Sequence, residues 1–139
     1  MTVRSRASTV TRLLALGALT VAACGSPAGD SGSSDPVIVT FEVAGEERFK
    51  VLLTEPADVD TARRLLDGED VPSIPNGRVV RETGVNEGYN WSLDPADIEF
   101  AEVTIEVCDG LPSDVEAGTI SGDRYCPWSA VVIAVERAS

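Results

Sequence analysis

Residues 37–53 read VIVTFEVAGEERFKVLL, and this stretch decides the fold class. Apolar side chains occupy every second position on both sides of Gly45: Val37, Val39, Phe41 and Val43 before it, and Phe49, Val51 and Leu53 after it. Alternation with a period of two is typical of a strand with one buried face, and glycine suits a hairpin turn. The domain is therefore predicted to begin with an antiparallel pair of strands.

The segment after this hairpin predicts an amphipathic helix. Its apolar residues recur at helical spacing: Val59, Ala62, Leu65 and Leu66. Thr54 is expected to cap the helix, Pro56 is tolerated in its first turn, and Gly68 is expected to end it.

The rest of the chain predicts mainly further strands. Short strands are expected at 78–81 and 89–93, and a helical turn at 111–118. The clearest strand pattern covers 99–109, with its apolar residues facing the core: Ala101, Val103, Ile105 and Val107. Residues 129–135 are apolar on both faces, which favours a central strand. We expect an α+β fold, a mostly antiparallel sheet forming a sandwich or partial barrel with one packed helix.

The N-terminus has the features of a targeting segment. Three arginines precede an apolar run at 13–23, which is too short for a membrane-spanning helix of about 20 residues. The run ends in Val21-Ala22-Ala23-Cys24, which resembles the bacterial lipobox. The resemblance implies diacylglycerol on the Cys24 sulfur, cleavage before Cys24 and further acylation such as palmitate. An ordinary signal peptide, with Cys24 incidental, is the alternative.

This pattern divides the chain into three parts. Residues 1–23 are predicted to be the signal peptide, 24–36 a Gly/Ser-rich flexible tether, and 37–139 a single globular domain. The expected location is the extracytoplasmic face of the cell membrane, reached through the lipid on Cys24.

Charge and composition narrow the function. The net charge is -12, from 11 basic and 23 acidic residues. Nucleic acid is therefore not an expected partner. The chain has no histidine, the commonest general base and a frequent metal ligand. We expect no cofactor and no enzyme, with a small carboxylate-based hydrolase as a remote alternative.

Two cysteines remain after Cys24. Cys108 and Cys126 would lie in a compartment that permits disulfides, so a structural bridge between them is predicted. A reactive thiol and a metal site are the alternatives, although a zinc site would lack its usual ligands.

Three motifs, taken together, resemble a family of small secreted domains found in many bacteria and in some larger eukaryotic proteins. The motifs are Trp91-Ser92-Leu93-Asp94-Pro95, Ile105-Glu106-Val107-Cys108-Asp109 and Cys126-Pro127-Trp128-Ser129. The resemblance implies one compact disulfide-bearing domain. It brings no activity and no catalytic residues.

Two groups of side chains are candidate sites. Tyr89, Trp91, Tyr125 and Trp128 are a candidate aromatic surface for peptide or carbohydrate, or alternatively part of a small core. Asp94, Asp97 and Glu99 are candidate calcium ligands, or alternatively turn and capping residues. The function predicted first is a lipid-anchored extracytoplasmic binding module for an unknown protein, peptide or glycan. A calcium- or other cation-binding envelope domain is the second prediction.

Overall fold

The structure is a computed structural model that describes residues 34–139. Its strands are β1 (Val37–Val43), β2 (Glu47–Leu53), β3 (Ile74–Val80), β4 (Ser92–Ala101), β5 (Arg124–Tyr125) and β6 (Ala130–Arg137), and its helices are α1 (Pro56–Leu66) and α2 (Pro112–Ala117). The strands form two antiparallel sheets, in the orders β2-β1-β6 and β4-β3-β5. The predicted α+β class, with mostly antiparallel strands, is confirmed.

The opening hairpin forms as its sequence predicts. β1 and β2 pair from Val37 opposite Leu53 to Val43 opposite Glu47, around a turn of three residues. The alternating apolar side chains of both strands are buried. Burial of this face is the main source of the hairpin's stability, because an isolated two-stranded pair is marginal in water.

The two sheets enclose an aromatic core. The Phe49 ring packs against Phe41 of the same sheet at 5.2 Å between centroids, and against Tyr125 of the opposite sheet at 5.3 Å. The Trp91 ring lies 5.4 Å from the Tyr125 ring, and Phe100 lies 6.1 Å from Phe41. These contacts across both sheets make the domain a small sandwich.

Helix α1 covers part of the first sheet, where it contacts β6, β2 and β4. Val59 and Ala62 are buried in the core, whereas Leu66 is exposed. The predicted capping role of Thr54 is wrong, because Glu55 occupies the N-cap position and Pro56 begins the helix directly after it. The predicted stop is confirmed, since Gly68 adopts a left-handed φ of 81° just beyond the last turn.

Two predicted strands are longer than expected. β3 extends back from the predicted 78–81 to Ile74 and ends at Val80. β4 begins at Ser92 and continues through Pro95, where an end was predicted. Pro95 is tolerated because it falls where the β3–β4 register shifts, so its missing N–H interrupts no regular ladder bond.

The predicted strand at 99–109 is wrong in its second half. β4 ends at Ala101, which pairs with Ile74, the first residue of β3. The chain therefore has no further partner on β3 and continues as a loop to a 3₁₀ turn at Glu106–Cys108. Val103, Ile105 and Val107 are exposed instead of facing the core.

The C-terminal strand also departs from its prediction. β6 pairs with β1 and lies at the edge of its sheet, and β1 is the central strand. One face of β6 remains apolar and exposed at Val131. The helical turn predicted at 111–118 is confirmed as α2. Among residues 34–139, neither α-helix has the length and apolar character needed to cross a bilayer.

Candidate binding surface

Trp128 is a large aromatic side chain held rigidly at the surface. It lies between Cys126 and the start of β6 and is 47% exposed. Its indole Nε1 donates a hydrogen bond to Thr104 Oγ1 at 2.6 Å, and its backbone N–H donates to Asp109 Oδ1 at 2.8 Å. Both bonds fix the ring before any ligand arrives, which lowers the entropy lost on binding.

Apolar side chains from the loop after β4 lie beside this tryptophan. Val103 is 84% exposed and Ile105 is 67% exposed. Val103 and Trp128 line a groove of about 200 Å³ together with Ile74. We call Ile74, Val103, Ile105 and Trp128 the Trp128 surface.

The disulfide fixes the two segments that form the Trp128 surface. Cys108 and Cys126 are bridged, with their Cα atoms 5.1 Å apart, which confirms the predicted disulfide. The backbone N–H of Cys126 also donates to the Cys108 carbonyl at 2.8 Å. The loop that carries Ile105 is therefore tied to the segment that carries Trp128.

A second groove adjoins the first. It is about 350 Å³ in volume and is lined by Asp70, Val71, Pro72, Ser73 and Glu102. Glu102 also lines the groove beside Trp128, so the two grooves share one carboxylate. The surface thus places an apolar groove directly beside an acidic one.

The candidate aromatic surface is not assembled as predicted. Trp91 and Tyr125 are fully buried in the core, so neither ring is available to a ligand. Tyr89 is partly buried, and its hydroxyl donates to Glu47 at 3.4 Å. Large rings fill the small core efficiently, and Trp128 alone of the four remains well exposed.

The candidate calcium ligands are bound to other side chains. Asp94 pairs with Arg78, and Asp97 accepts a bond from Arg124 at 3.0 Å. Glu99 accepts a bond from the side-chain amide of Asn76 at 3.1 Å. Within residues 34–139, no three or more carboxylates or cysteines cluster as a metal site would require. The predicted convergence of these three carboxylates is therefore wrong, because arginines neutralise two of them.

The Asp94 pair has a clear electrostatic effect. Hydrogen bonds from Arg78 and from the backbone N–H of Ala96 hold the pKa of Asp94 below its usual value. The same carboxylate raises the pKa of the Arg78 guanidinium. Asp94 is thus a structural partner of β3, at the point where the register of β4 shifts.

The exposed loop residues were missed by sequence reasoning. Val103 and Ile105 alternate with Glu102, Thr104 and Glu106, which is also the pattern of a half-buried strand. Nothing in that alternation shows whether a second layer covers the apolar side. Trp128 was selected from the sequence, whereas its neighbours were assigned to the core.

Comparison with known families places the domain. Residues 35–139 match the family of the BP-74 N-terminal domain, and the chain belongs to this family. Searches of curated proteins and of solved structures gave no match. Cys24, the signal peptide and most of the tether lie outside the described residues, so their predicted roles remain predictions.

Proposed function

We propose that this chain is a lipid-anchored extracytoplasmic binding module that recognises its partner through the Trp128 surface. The observation that carries the proposal is the exposure of Val103, Ile105 and Trp128 as neighbouring apolar groups on a rigid support. Burying such side chains in a monomer's core would be favourable, so their exposure favours a role in recognition. Exposed tryptophan is also enriched among residues that dominate binding energy.

The anchor is proposed from the lipobox pattern that ends at Cys24. The Cys108–Cys126 disulfide is consistent with it, because such bridges persist in oxidising compartments. Lipidation of Cys24 would hold the domain at a membrane through two or more acyl chains.

The position of the tether favours this arrangement. The tether enters the domain at Val37, at one end of β1, and Pro36 accepts a bond from Ala138 there. The Trp128 end of the chain meets the other end of β1, where Ser129 accepts a bond from the Ala44 N–H at 3.1 Å. A strand of seven residues spans about 20 Å. The Trp128 surface is thus set at the end of the sandwich away from the anchor.

Metabolic labelling with an alkyne analogue of palmitate tests the anchor. The full-length chain should incorporate the label, and Cys24→Ser should abolish it. Labelling that persists in Cys24→Ser, or that never occurs in the unaltered chain, would contradict the anchor.

Site-specific photo-crosslinking in the producing cells tests the binding surface. A photoreactive residue at position 103 should capture an envelope partner, and Trp128→Ala in the same chain should weaken the capture. A photoreactive residue at position 136 is the matched control, because Glu136 lies on β6 near the tether. Equal capture from both positions would count against the Trp128 surface.

A further inference from the structure

The acids around the Trp128 surface differ from many others in the domain. Glu102, Glu106 and Asp70 are exposed, and none forms a salt bridge with another described residue. Elsewhere, most basic side chains of the described part are paired with carboxylates: Arg48, Lys50, Arg64, Arg78, Arg124 and Arg137. The acidic rim of the surface therefore has no internal counter-charge.

The geometry joins this rim to an apolar anchor point. Glu102 lines the groove that Ile74, Val103 and Trp128 form, and it also lines the neighbouring groove that contains Asp70. A ligand that seats an apolar side chain against Trp128 would thus bring its neighbouring side chain close to Glu102. A cation there would meet the carboxylate and the face or edge of an exposed indole.

The size of the apolar groove points to a side chain. Its volume of about 200 Å³ is below the roughly 300–1,000 Å³ that is usual for a site enclosing a whole small molecule. The Thr104 hydroxyl in the groove is already bonded to the indole of Trp128. A glycan would find few free polar partners there, whereas an apolar side chain needs none.

From these observations, and resting on the proposed function, we propose that the partner presents a cationic apolar polypeptide segment. In this segment a lysine or arginine stands next to the apolar side chain that enters the groove beside Trp128. The net charge of -12 would draw such a segment in and would repel an anionic lipid surface.

Short fluorescent probe peptides test the proposal on the purified full-length chain carrying Cys24→Ser. One peptide alternates leucine and arginine, one alternates leucine and glutamate, and one alternates serine and arginine. We expect the leucine–arginine peptide to bind at least about tenfold more tightly than either of the others, since both parts of the surface are needed. Its affinity should fall as salt rises.

Paired variants locate the site. Val103→Ser and Trp128→Ala should each weaken the leucine–arginine peptide about tenfold, with Leu66→Ser as the control on another exposed apolar side chain. Glu102→Gln should weaken it several-fold and flatten its salt dependence. Glu136→Gln is the matched control, because Glu136 is exposed, lacks a salt bridge within the described part and lies near the tether. Val103→Ser keeps the test valid if Trp128→Ala fails to fold.

The outcomes separate the two proposals. If leucine–glutamate binds as tightly as leucine–arginine, and Val103→Ser weakens both, the cationic preference is overturned while the binding surface stands. If Glu136→Gln weakens the leucine–arginine peptide as much as Glu102→Gln does, the attraction is general and the assignment of Glu102 is overturned. If no peptide binds, the peptide proposal is overturned, and the crosslinking experiment at position 103 decides the proposed function independently.

Discussion

The side-chain oxygen of Asn86 lies 2.9 Å from the backbone nitrogen of Lys50, on strand β2, and accepts its hydrogen bond. The side-chain nitrogen of the same residue donates to the carbonyl of Trp91 at 3.0 Å. Asn86 is itself buried, at 1% exposure. One carboxamide thus satisfies a backbone group on an edge strand and another beside the core tryptophan, and it ties the loop before β4 to the first sheet.

Asn86→Ala should therefore destabilise the domain markedly. The substitution removes both bonds, and each buried partner left without a bond costs about 1–3 kcal/mol. Urea unfolding followed by tryptophan fluorescence measures the loss. Asn90→Ala is the control, because Asn90 bonds to Glu116 at the exposed surface and should cost less than about 1 kcal/mol. Equal losses in the two variants would contradict the role of Asn86.

The disulfide should supply a large share of the stability. Cys108 and Cys126 are separated by 18 positions, and closing a loop near this size stabilises a domain by about 3 kcal/mol in the chain-entropy model. Reductant should lower the urea midpoint of the unaltered chain. It should leave the midpoint of the Cys108→Ala/Cys126→Ala double variant unchanged. A midpoint that is insensitive to complete reduction would refute this contribution.

Acid should remove the contribution of the Asp94 carboxylate. Its pKa is lowered in the folded chain, chiefly by the Arg78 hydrogen bond, so its stabilising effect is present above the unfolded pKa near 4 and is lost as pH falls through the folded pKa. Asp94→Asn should thus be less stable than the unaltered chain near neutral pH, and the gap should narrow in acid. Urea unfolding across this range measures the gap. Glu136→Gln controls for the change in net charge, and a gap for Asp94→Asn that does not depend on pH would contradict the ion-pair explanation.

Alkali should act on Tyr125 in the opposite direction. Burial raises the pKa of the Tyr125 hydroxyl above its usual value, and this hydroxyl donates to the Gly110 carbonyl at 3.0 Å. Its contribution is present below the unfolded pKa of about 10 and is lost as pH rises above that value. Tyr125→Phe should cost about 1 kcal/mol at neutral pH and should lose less stability than the unaltered chain between about pH 9 and 11. Parallel losses in urea unfolding would contradict this.

The sequence predicted those elements whose pattern had one structural solution. The alternation on both sides of Gly45 could form only a hairpin with one buried face, and β1 and β2 follow it residue by residue. The α+β class and the Cys108–Cys126 bridge were also predicted correctly. In each case local pattern and tertiary packing favour the same result.

Strand pairing decided the elements that the sequence misassigned. β4 passes through Pro95 because the β3–β4 register shifts there, and no local propensity encodes such a shift. The run at 99–109 has the alternation of a half-buried strand, but β3 begins at Ile74 and offers no partner beyond Ala101. An alternating pattern shows which side chains share a face. It does not show whether another layer covers that face.

The candidate site shows the same limit. Trp91 and Trp128 are both followed by serine and lie close to strands, yet one is fully buried and the other is half exposed. Their difference arises from long-range contacts: Trp91 packs between the sheets, whereas Trp128 is held outside by Thr104 and Asp109. Likewise, Arg78 reaches Asp94 only because β3 and β4 pair.

A pair of valine substitutions tests this separation between pattern and burial. Val51 and Val103 each occupy an apolar position in an alternating run, but Val51 is 1% exposed in the core and Val103 is 84% exposed. Val51→Ala should cost about 2 kcal/mol or more, because it removes buried methyl groups and leaves a cavity. Val103→Ala should change the free energy of unfolding by less than about 0.5 kcal/mol, since its side chain is solvated in both states. Urea unfolding of the two variants gives both values, and a comparable loss at Val103 would mean that the loop after β4 packs into the core, which would remove the exposed surface on which recognition depends.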